Sequence, residues 1–371
     1  MLHSMKGRNS VLYFCSRRAL SSFIPRYEFP KYNIALSDFK GHQVKALKKF
    51  QYLAPQLNMV LELRDLRAPL STRNVLFDRF FMDGNEKIKR LIVYTKKDYM
   101  PQSAALFETL TRWHNEMKED FIILDGKSRN DVKNLMKVIE WQSNKLVEND
   151  VPLPMGYRIL VTGMPNVGKS TLVNSLRYIN YSKRNPNSKG AKVSRTGDQA
   201  GVTRSTSEII RISKDNATQG IYLIDSPGIG LPGRVSNQSR ILAQALCNCV
   251  KETLIDPVVQ ADYLLFLMNL QKMKNNIEWY PDYKTNPTND IYTVFNRCYD
   301  MHKLSETTAA IAWINHWKRK GKNVLFDVEP LLVSGEFSYK DYLIKDLQKI
   351  EDFSVENTKL NIPGASKQVF V

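Results

Sequence analysis

The sequence predicts an α/β fold: a doubly wound, mostly parallel sheet followed by a smaller, mainly α-helical C-terminal region. Three observations predict it. Short apolar runs of strand character alternate with segments of helical apolar spacing, and that alternation implies parallel strands joined by crossover helices. A glycine-rich loop stands between one such run and one such helix. After Gly233 the strand-like runs stop and helical spacing takes over.

The elements are read in order. Val44 to Tyr52 has helical spacing within a basic segment. Met59 to Asp65 reads as a buried strand, Leu91 to Tyr94 as a second and Phe121 to Leu124 as a third. Ala104 to Met117 and Val132 to Val147 are the helices between and after them. Val151-Pro152-Leu153-Pro154 breaks the pattern. Tyr157 to Thr162 is a strand that runs into the glycine loop, and Ser207 to Ile212 and Ile221 to Asp225 follow as strands. Residues 180–206 are polar and basic, with little apolar periodicity, and read as a long loop. Beyond Gly233, Ala243 to Val250, Thr307 to Lys320 and Tyr339 to Ile350 read as helices. Val258 to Leu270 is apolar but interrupted by Gln260 and Asp262, so it reads as a core segment and not as a membrane span.

Composition narrows the class. A chain of 371 residues can bury more than one core. Its four cysteines, Cys15, Cys247, Cys249 and Cys298, contain no C-x-x-C pair, which argues against a zinc site or a disulfide framework. The formal net charge is +17; residues 1–27 carry five of those charges with no acid, residues 236–371 are neutral, and residues 28–235 hold the other twelve. The first segment, basic, serine-containing and amphipathic, has the pattern of a mitochondrial transit peptide. The expected organisation is therefore a targeting segment (1–27), an α/β domain (28–235) and a helical domain (236–371). The basic excess on the α/β domain favours a polyanionic partner.

The chemistry lies in four motifs. Gly163-Met164-Pro165-Asn166-Val167-Gly168-Lys169-Ser170 fits G-x-x-x-x-G-K-[ST] in the required strand–loop–helix setting. Backbone amides of such a loop cradle phosphate oxygens, with Thr171 next on the helix. Lys169 reaches the β- and γ-phosphates and the Ser170 hydroxyl ligates Mg²⁺. Asp225-Ser226-Pro227-Gly228 ends a later strand, where the carboxylate can hold Mg²⁺ through water and Gly228 can approach the γ-phosphate. Thr203, in Gly201-Val202-Thr203-Arg204, is the expected second hydroxyl ligand for Mg²⁺, ahead of its rivals Thr196 and Thr206. Thr95-Lys96-Lys97-Asp98 fits the guanine reader. The Asp98 carboxylate can accept from N1–H and N2–H of guanine, a donor pair that adenine lacks. Thr95 stands where Asn is commoner, with fewer donors. Leu124-Asp125-Gly126-Lys127 is a weaker match to a backbone contact with the base, and Asp125 is its candidate residue.

The guanine reader precedes the phosphate loop, so the motifs run in circularly permuted order. In this order the chain resembles the YlqF/RbgA-type GTPases of ribosome assembly, most nearly the mitochondrial ribosome-associated GTPase 1 subfamily. Leu63-Arg64-Asp65-Leu66-Arg67-Ala68-Pro69-Leu70-Ser71 through Asn74 is similar to the family's D-A-R-x-P-x-S-x-x-N segment. Lys192 through Arg204 resembles its switch loop, and Phe39-Lys40-Gly41-His42 its F-P-G-H, with Lys40 where the family has Pro. The resemblance implies GTP hydrolysis coupled to maturation of a large ribosomal subunit, and an α-helical, RNA-contacting C-terminal domain. The expectation is a mitochondrial matrix factor in which GTP orders Thr203 and the basic loop for rRNA binding and hydrolysis releases the protein. A monomer is expected. A basic surface also suits anionic lipids of the inner membrane, although no amphipathic anchor is evident.

Many GTPases orient the attacking water with a Gln just after Asp-x-x-Gly; here Ile229 occupies that place. Slow intrinsic turnover is the expectation, with stimulation by the ribosome. The resemblance suggests His42 as the water-orienting group, and Asn166 matches a position that helps bind K⁺ beside the phosphates. Lys40, Lys45, Lys48 and Lys49, the loop bearing Lys183, Arg184, Lys189, Lys192 and Arg195, and the cluster Lys318-Arg319-Lys320 with Lys322 are candidate rRNA contacts. The competing reading is a nucleotide-dependent RNA-binding module or translation switch with negligible turnover.

Overall fold

The computed structural model describes residues 23–39, 41–82, 88–100, 104–184, 209–213, 220–275, 287–320, 323–332 and 337–351. Thr203, Lys40 and the basic residues 185–208 lie outside the described residues, as do the side chains of His42, Lys183, Arg184, Arg319 and Lys320.

Six strands form one sheet: β1 (Met59–Asp65), β2 (Lys89–Thr95), β3 (Asp120–Ile123), β4 (Tyr157–Gly163), β5 (Ile209–Ser213) and β6 (Ile221–Asp225). Their spatial order is β3-β2-β1-β4-β6-β5, parallel throughout except for β5, which pairs antiparallel with β6 at one edge. β1 is buried along its whole length because both neighbours are strands and both faces are covered by helices. Parallel pairing also sets Asp65 opposite Thr95, Leu63 opposite Gly163 and Val161 opposite Asp225. The carboxyl ends that carry the motifs therefore share one edge, where ligands of open α/β sheets bind.

The helices are α1 (Gly41–Leu53), α2 (Val75–Met82), α3 (Ala104–Met117), α4 (Arg129–Glu148), α5 (Lys169–Arg184), α6 (Gln238–Leu246), α7 (Pro257–Asn275), α8 (Ile291–Cys298), α9 (Glu306–Lys320), α10 (Glu329–Leu332) and α11 (Tyr339–Gln348). No strand follows β6 among the described residues, and none of their helices is long and apolar enough to cross a membrane. α6 starts earlier than its apolar spacing suggests, capped by the Asn237 side chain on the Arg240 amide, and it stops at Leu246. The stop is conformational: Asn248 adopts φ +59° and cannot continue a helix.

The C-terminal helices share the core of the sheet domain. Tyr339 of α11 stacks on Trp113 of α3 at 5.1 Å, and its hydroxyl accepts from Arg64 at 3.2 Å. Asp346 of α11 pairs with Arg240 of α6 at 2.8 Å. At the other end, Arg26 forks onto Asp262 of α7, with contacts of 2.6 and 3.0 Å, and Phe29 packs edge-on against Tyr263 at 5.1 Å.

Candidate functional site

The phosphate loop leaves β4 at Gly163, whose φ of +147° brings the backbone so near Leu63 that a Cβ would lie 2.4 Å from its carbonyl oxygen. Only glycine fits there. Gly168 and Asn166 also have positive φ, +99° and +57°, so the loop curls tightly before α5. Val167 is buried and its carbonyl accepts from Thr95 Oγ1 at 2.6 Å; the same hydroxyl lies 3.1 Å from the Arg64 carbonyl. Thr95 thus ties the end of β2 to the phosphate loop. Lys169 is buried and its ammonium donates to the Met164 carbonyl at 2.6 Å across the loop. Burial pushes it down to about 8, against the pull of Asp225.

Ser170 Oγ and Asp225 Oδ2 lie 3.5 Å apart, with Asp225 fully buried at the end of β6. A hydroxyl and a buried carboxylate at this separation fit a magnesium ion held directly by one and through water by the other. Gly228 presses on the loop: a Cβ there would stand 2.6 Å from both N and Cα of Pro165. The next residue turns away. Ile229 is fully buried, and its amide donates to the Gly163 carbonyl at 3.2 Å. Asn74 holds the same segment by donating to the carbonyls of Ile229 and Gly230 at 2.9 and 3.1 Å. Gln43 accepts from the Gly230 amide at 2.6 Å. Gln43 follows His42 on α1, so the first turn of that helix adjoins the segment that leaves Gly228.

On the base side, Lys96 has φ +61° and donates to Asp65 Oδ2 at 2.8 Å, while Asp98 is exposed. Asp65 is buried between Lys96 and a bidentate Arg67. Burial alone would raise its carboxyl, but the two cations hold it well below the usual carboxylate range. The Leu124 carbonyl accepts from the Lys97 amide at 3.4 Å, bringing Leu124–Lys127 beside the reader. Gly126 accepts from Ser175 at 2.7 Å and faces Thr171, so Asp125 sits between reader and α5.

Several site residues have no motif to announce them. Gln43 is one. Asp327, from the segment after α9, accepts the amides of Leu70 and Ser71 at 2.6 and 3.0 Å, and so caps the turn that follows β1. Lys318 departs from expectation. It does not extend a surface cluster but turns its ammonium inward to Asn248 Oδ1 at 2.7 Å. Lys45, Lys48 and Lys49 are exposed on α1 as expected.

A phosphate loop after β4, an Asp-x-x-Gly turn after β6 and an upstream Thr-Lys-x-Asp segment at the end of β2 meet at one sheet edge. They define a circularly permuted P-loop GTPase. The family model described as a 50S ribosome-binding GTPase matches residues 158–297. A Saccharomyces cerevisiae protein named mitochondrial GTPase 1 is 53% identical over 95% of this chain and 96% of its own length. An Ictalurus punctatus protein named mitochondrial ribosome-associated GTPase 1 is 29% identical over 78% of this chain and 84% of its own length. Among solved structures, GNP-bound YlqF from T. maritima aligns with 76% of this chain and 97% of its own, at 16% identity and TM-score 0.44. The chain belongs to the mitochondrial GTPase 1 family.

Proposed function

We propose that this GTPase is a mitochondrial matrix factor that assists assembly of the large ribosomal subunit, binding rRNA with GTP and leaving on hydrolysis. The observation that carries the proposal is the coincidence of the nucleotide motifs with the basic excess on residues 28–235, in a chain whose relatives carry mitochondrial and ribosome-associated names. The proposed organisation remains a targeting segment (1–27), a permuted GTPase domain (28–235) and a mainly helical domain (236–371), acting as a monomer. Peripheral contact with the inner membrane is a secondary feature of the same basic surface.

The proposed roles follow the geometry. Gly163 to Thr171 bind the phosphates, with Lys169 as the cation and Gly228 as the γ-phosphate sensor. Thr95, Lys96, Asp98 and Asp125 form the guanine side. Ser170, Thr203 and Asp225 hold Mg²⁺, which when bound offsets phosphate charge. Asn166, at the bend of the loop, is the proposed K⁺ ligand. His42 is the proposed water-orienting residue; the contact of Gln43 with Gly230 supports its placement beside the segment that leaves Gly228.

The test is GTP and ATP hydrolysis by the full chain in K⁺ buffer, with and without purified mitochondrial large subunits. Slow GTP turnover accelerated by subunits, with ATP inert, is expected. GTP turnover that no mature or immature subunit accelerates would refute the assembly role. The competing reading, an RNA-binding module with negligible turnover, draws on one observation: Ile229 is buried and orients no water. His42→Ala separates the two, since it should abolish stimulated turnover and leave GTP binding intact.

A further inference from the structure

Helix α6 follows the Asp225–Gly228 segment and ends at the phosphate loop. Its last turn closes as a Schellman motif: the Cys249 amide donates to the Gln244 carbonyl at 2.8 Å and the Asn248 amide to Ala245 at 2.9 Å. Asn248 is the left-handed residue of that motif, at φ +59°. Two further contacts meet on it. Its carbonyl accepts from Asn166 Nδ2 at 2.8 Å, and its side-chain oxygen accepts from Lys318 Nζ at 2.7 Å. The same ammonium lies 3.4 Å from the Ala245 carbonyl, at the helix terminus.

A helix C-terminus carries partial negative charge. Here it meets a loop that binds polyphosphate, a mismatch that a cation at the helix terminus offsets. Lys318 is that cation, and it comes from α9, far along the chain. Asn166 stands in the left-handed region at φ +57°, which asparagine tolerates better than other residues with a Cβ. Its side-chain bond to the Asn248 carbonyl fixes that turn against the end of α6.

We infer that Lys318 is a positioning residue for the phosphate loop, acting through Asn248 on Asn166. The loop then enters nucleotide binding already ordered, and the ordering entropy is not charged to the ligand. The C-terminal helices thereby share in nucleotide affinity without touching the nucleotide. The inference rests on the assignment of residues 163–170 as the phosphate loop.

The experiment is titration of the full chain with fluorescent GDP and a fluorescent non-hydrolysable GTP analogue, alongside thermal melting without nucleotide. Lys318→Met should weaken both nucleotides by about tenfold, and Lys318→Arg should recover most of the loss. Asn248→Gly keeps the left-handed turn and its carbonyl but removes the acceptor for Lys318. It should stay folded, with a lowered melting point because the Lys318 ammonium loses its nearer acceptor, and lose affinity as Lys318→Met does. In a double-mutant cycle, Lys318→Met should add less than about twofold to Asn166→Ala. Parent-like affinity in Asn248→Gly, or losses that multiply independently in the cycle, would overturn the inference. Lys169→Ala separates the two levels. If it binds like the parent, the loop assignment fails and the inference with it. If it loses binding while the cycle is additive, the inference alone fails.

Discussion

Ile229 shows how a single side chain acts through the direction it faces. Its place in the sequence is that of a water-orienting Gln, yet it lies wholly in the core with its amide bound to Gly163. Ile229→Gln should therefore not raise turnover. It should bury an amide without partners and cost about 2–4 kcal/mol, measured by urea unfolding beside a GTPase assay; a faster enzyme of unchanged stability would contradict this. Gly228 is constrained from outside. An alanine methyl would meet the Pro165 backbone, which cannot rotate away as a side chain can. Gly228→Ala should cost about 1–3 kcal/mol and reduce GTP turnover more than GDP affinity. Thr95→Val keeps shape and removes the hydroxyl that bridges Arg64 and Val167. About 1–2 kcal/mol of stability should go with it, together with a raised KM for GTP.

At the scale of elements, charges hold strands to helices. Glu62 and Arg64 point from β1 to the same face and meet at 2.7 Å, with Arg90 of β2 on the other carboxylate oxygen. Burial would raise Glu62, but Arg64 and Arg90 overcome it and hold it at about 2. Glu119, bonded to His114 and near both arginines, is also held at about 2 against burial. Both folded values lie below the ordinary 4.5, so the stability they contribute is fully present above pH 4.5 and is lost as pH falls toward 2. Acid titration followed by tryptophan fluorescence should show unfolding in that window, with loss of the Trp113–Tyr339 stack as α11 detaches. The arm before β1 is a second such case. Arg26 lies inside the segment that its composition assigns to targeting, yet it forks onto Asp262. A chain that begins at residue 28 should melt about 1–3 °C below one that begins at residue 23, because Asp262 loses its cation. Equal melting would mean the arm is dispensable.

For the whole molecule, the C-terminal helices and the segment that leaves Gly228 share one framework. α6 runs from the Gly228 segment to the phosphate loop, Arg240 on it grips α11, and the segment after α9 caps the turn after β1. Nucleotide state should therefore change the position of the C-terminal helices, and small-angle scattering profiles with GDP and a non-hydrolysable GTP analogue should differ. The proposed rRNA contact predicts that binding to large subunits weakens steeply with salt, because each neutralised phosphate releases counterions. A flat salt response would point to protein contacts instead.

The fold class, the permuted order and the nucleotide motifs were legible in the sequence because each depends on local pattern: apolar periodicity, glycines at fixed offsets, and an acid after a strand. Those signals survive without knowledge of distant neighbours. The end of α6, the inward turn of Lys318, the burial of Ile229 and the roles of Gln43 and Asp327 were not legible. The end of α6 is a local left-handed turn at Asn248 that apolar spacing does not reveal. The others are decided by partners far along the chain: Asn248 for Lys318, Asn74 for the segment of Ile229, Gly230 for Gln43, and the Leu70–Ser71 amides for Asp327. A side chain's direction and partner are set by packing, and packing exists only once strands β1, β2, β4 and β6 have brought their carboxyl ends to one edge. The sequence by itself determined which chemistry this protein carries. Tertiary structure decided which residues hold that chemistry in place, because buried polar groups must find partners wherever the fold supplies them.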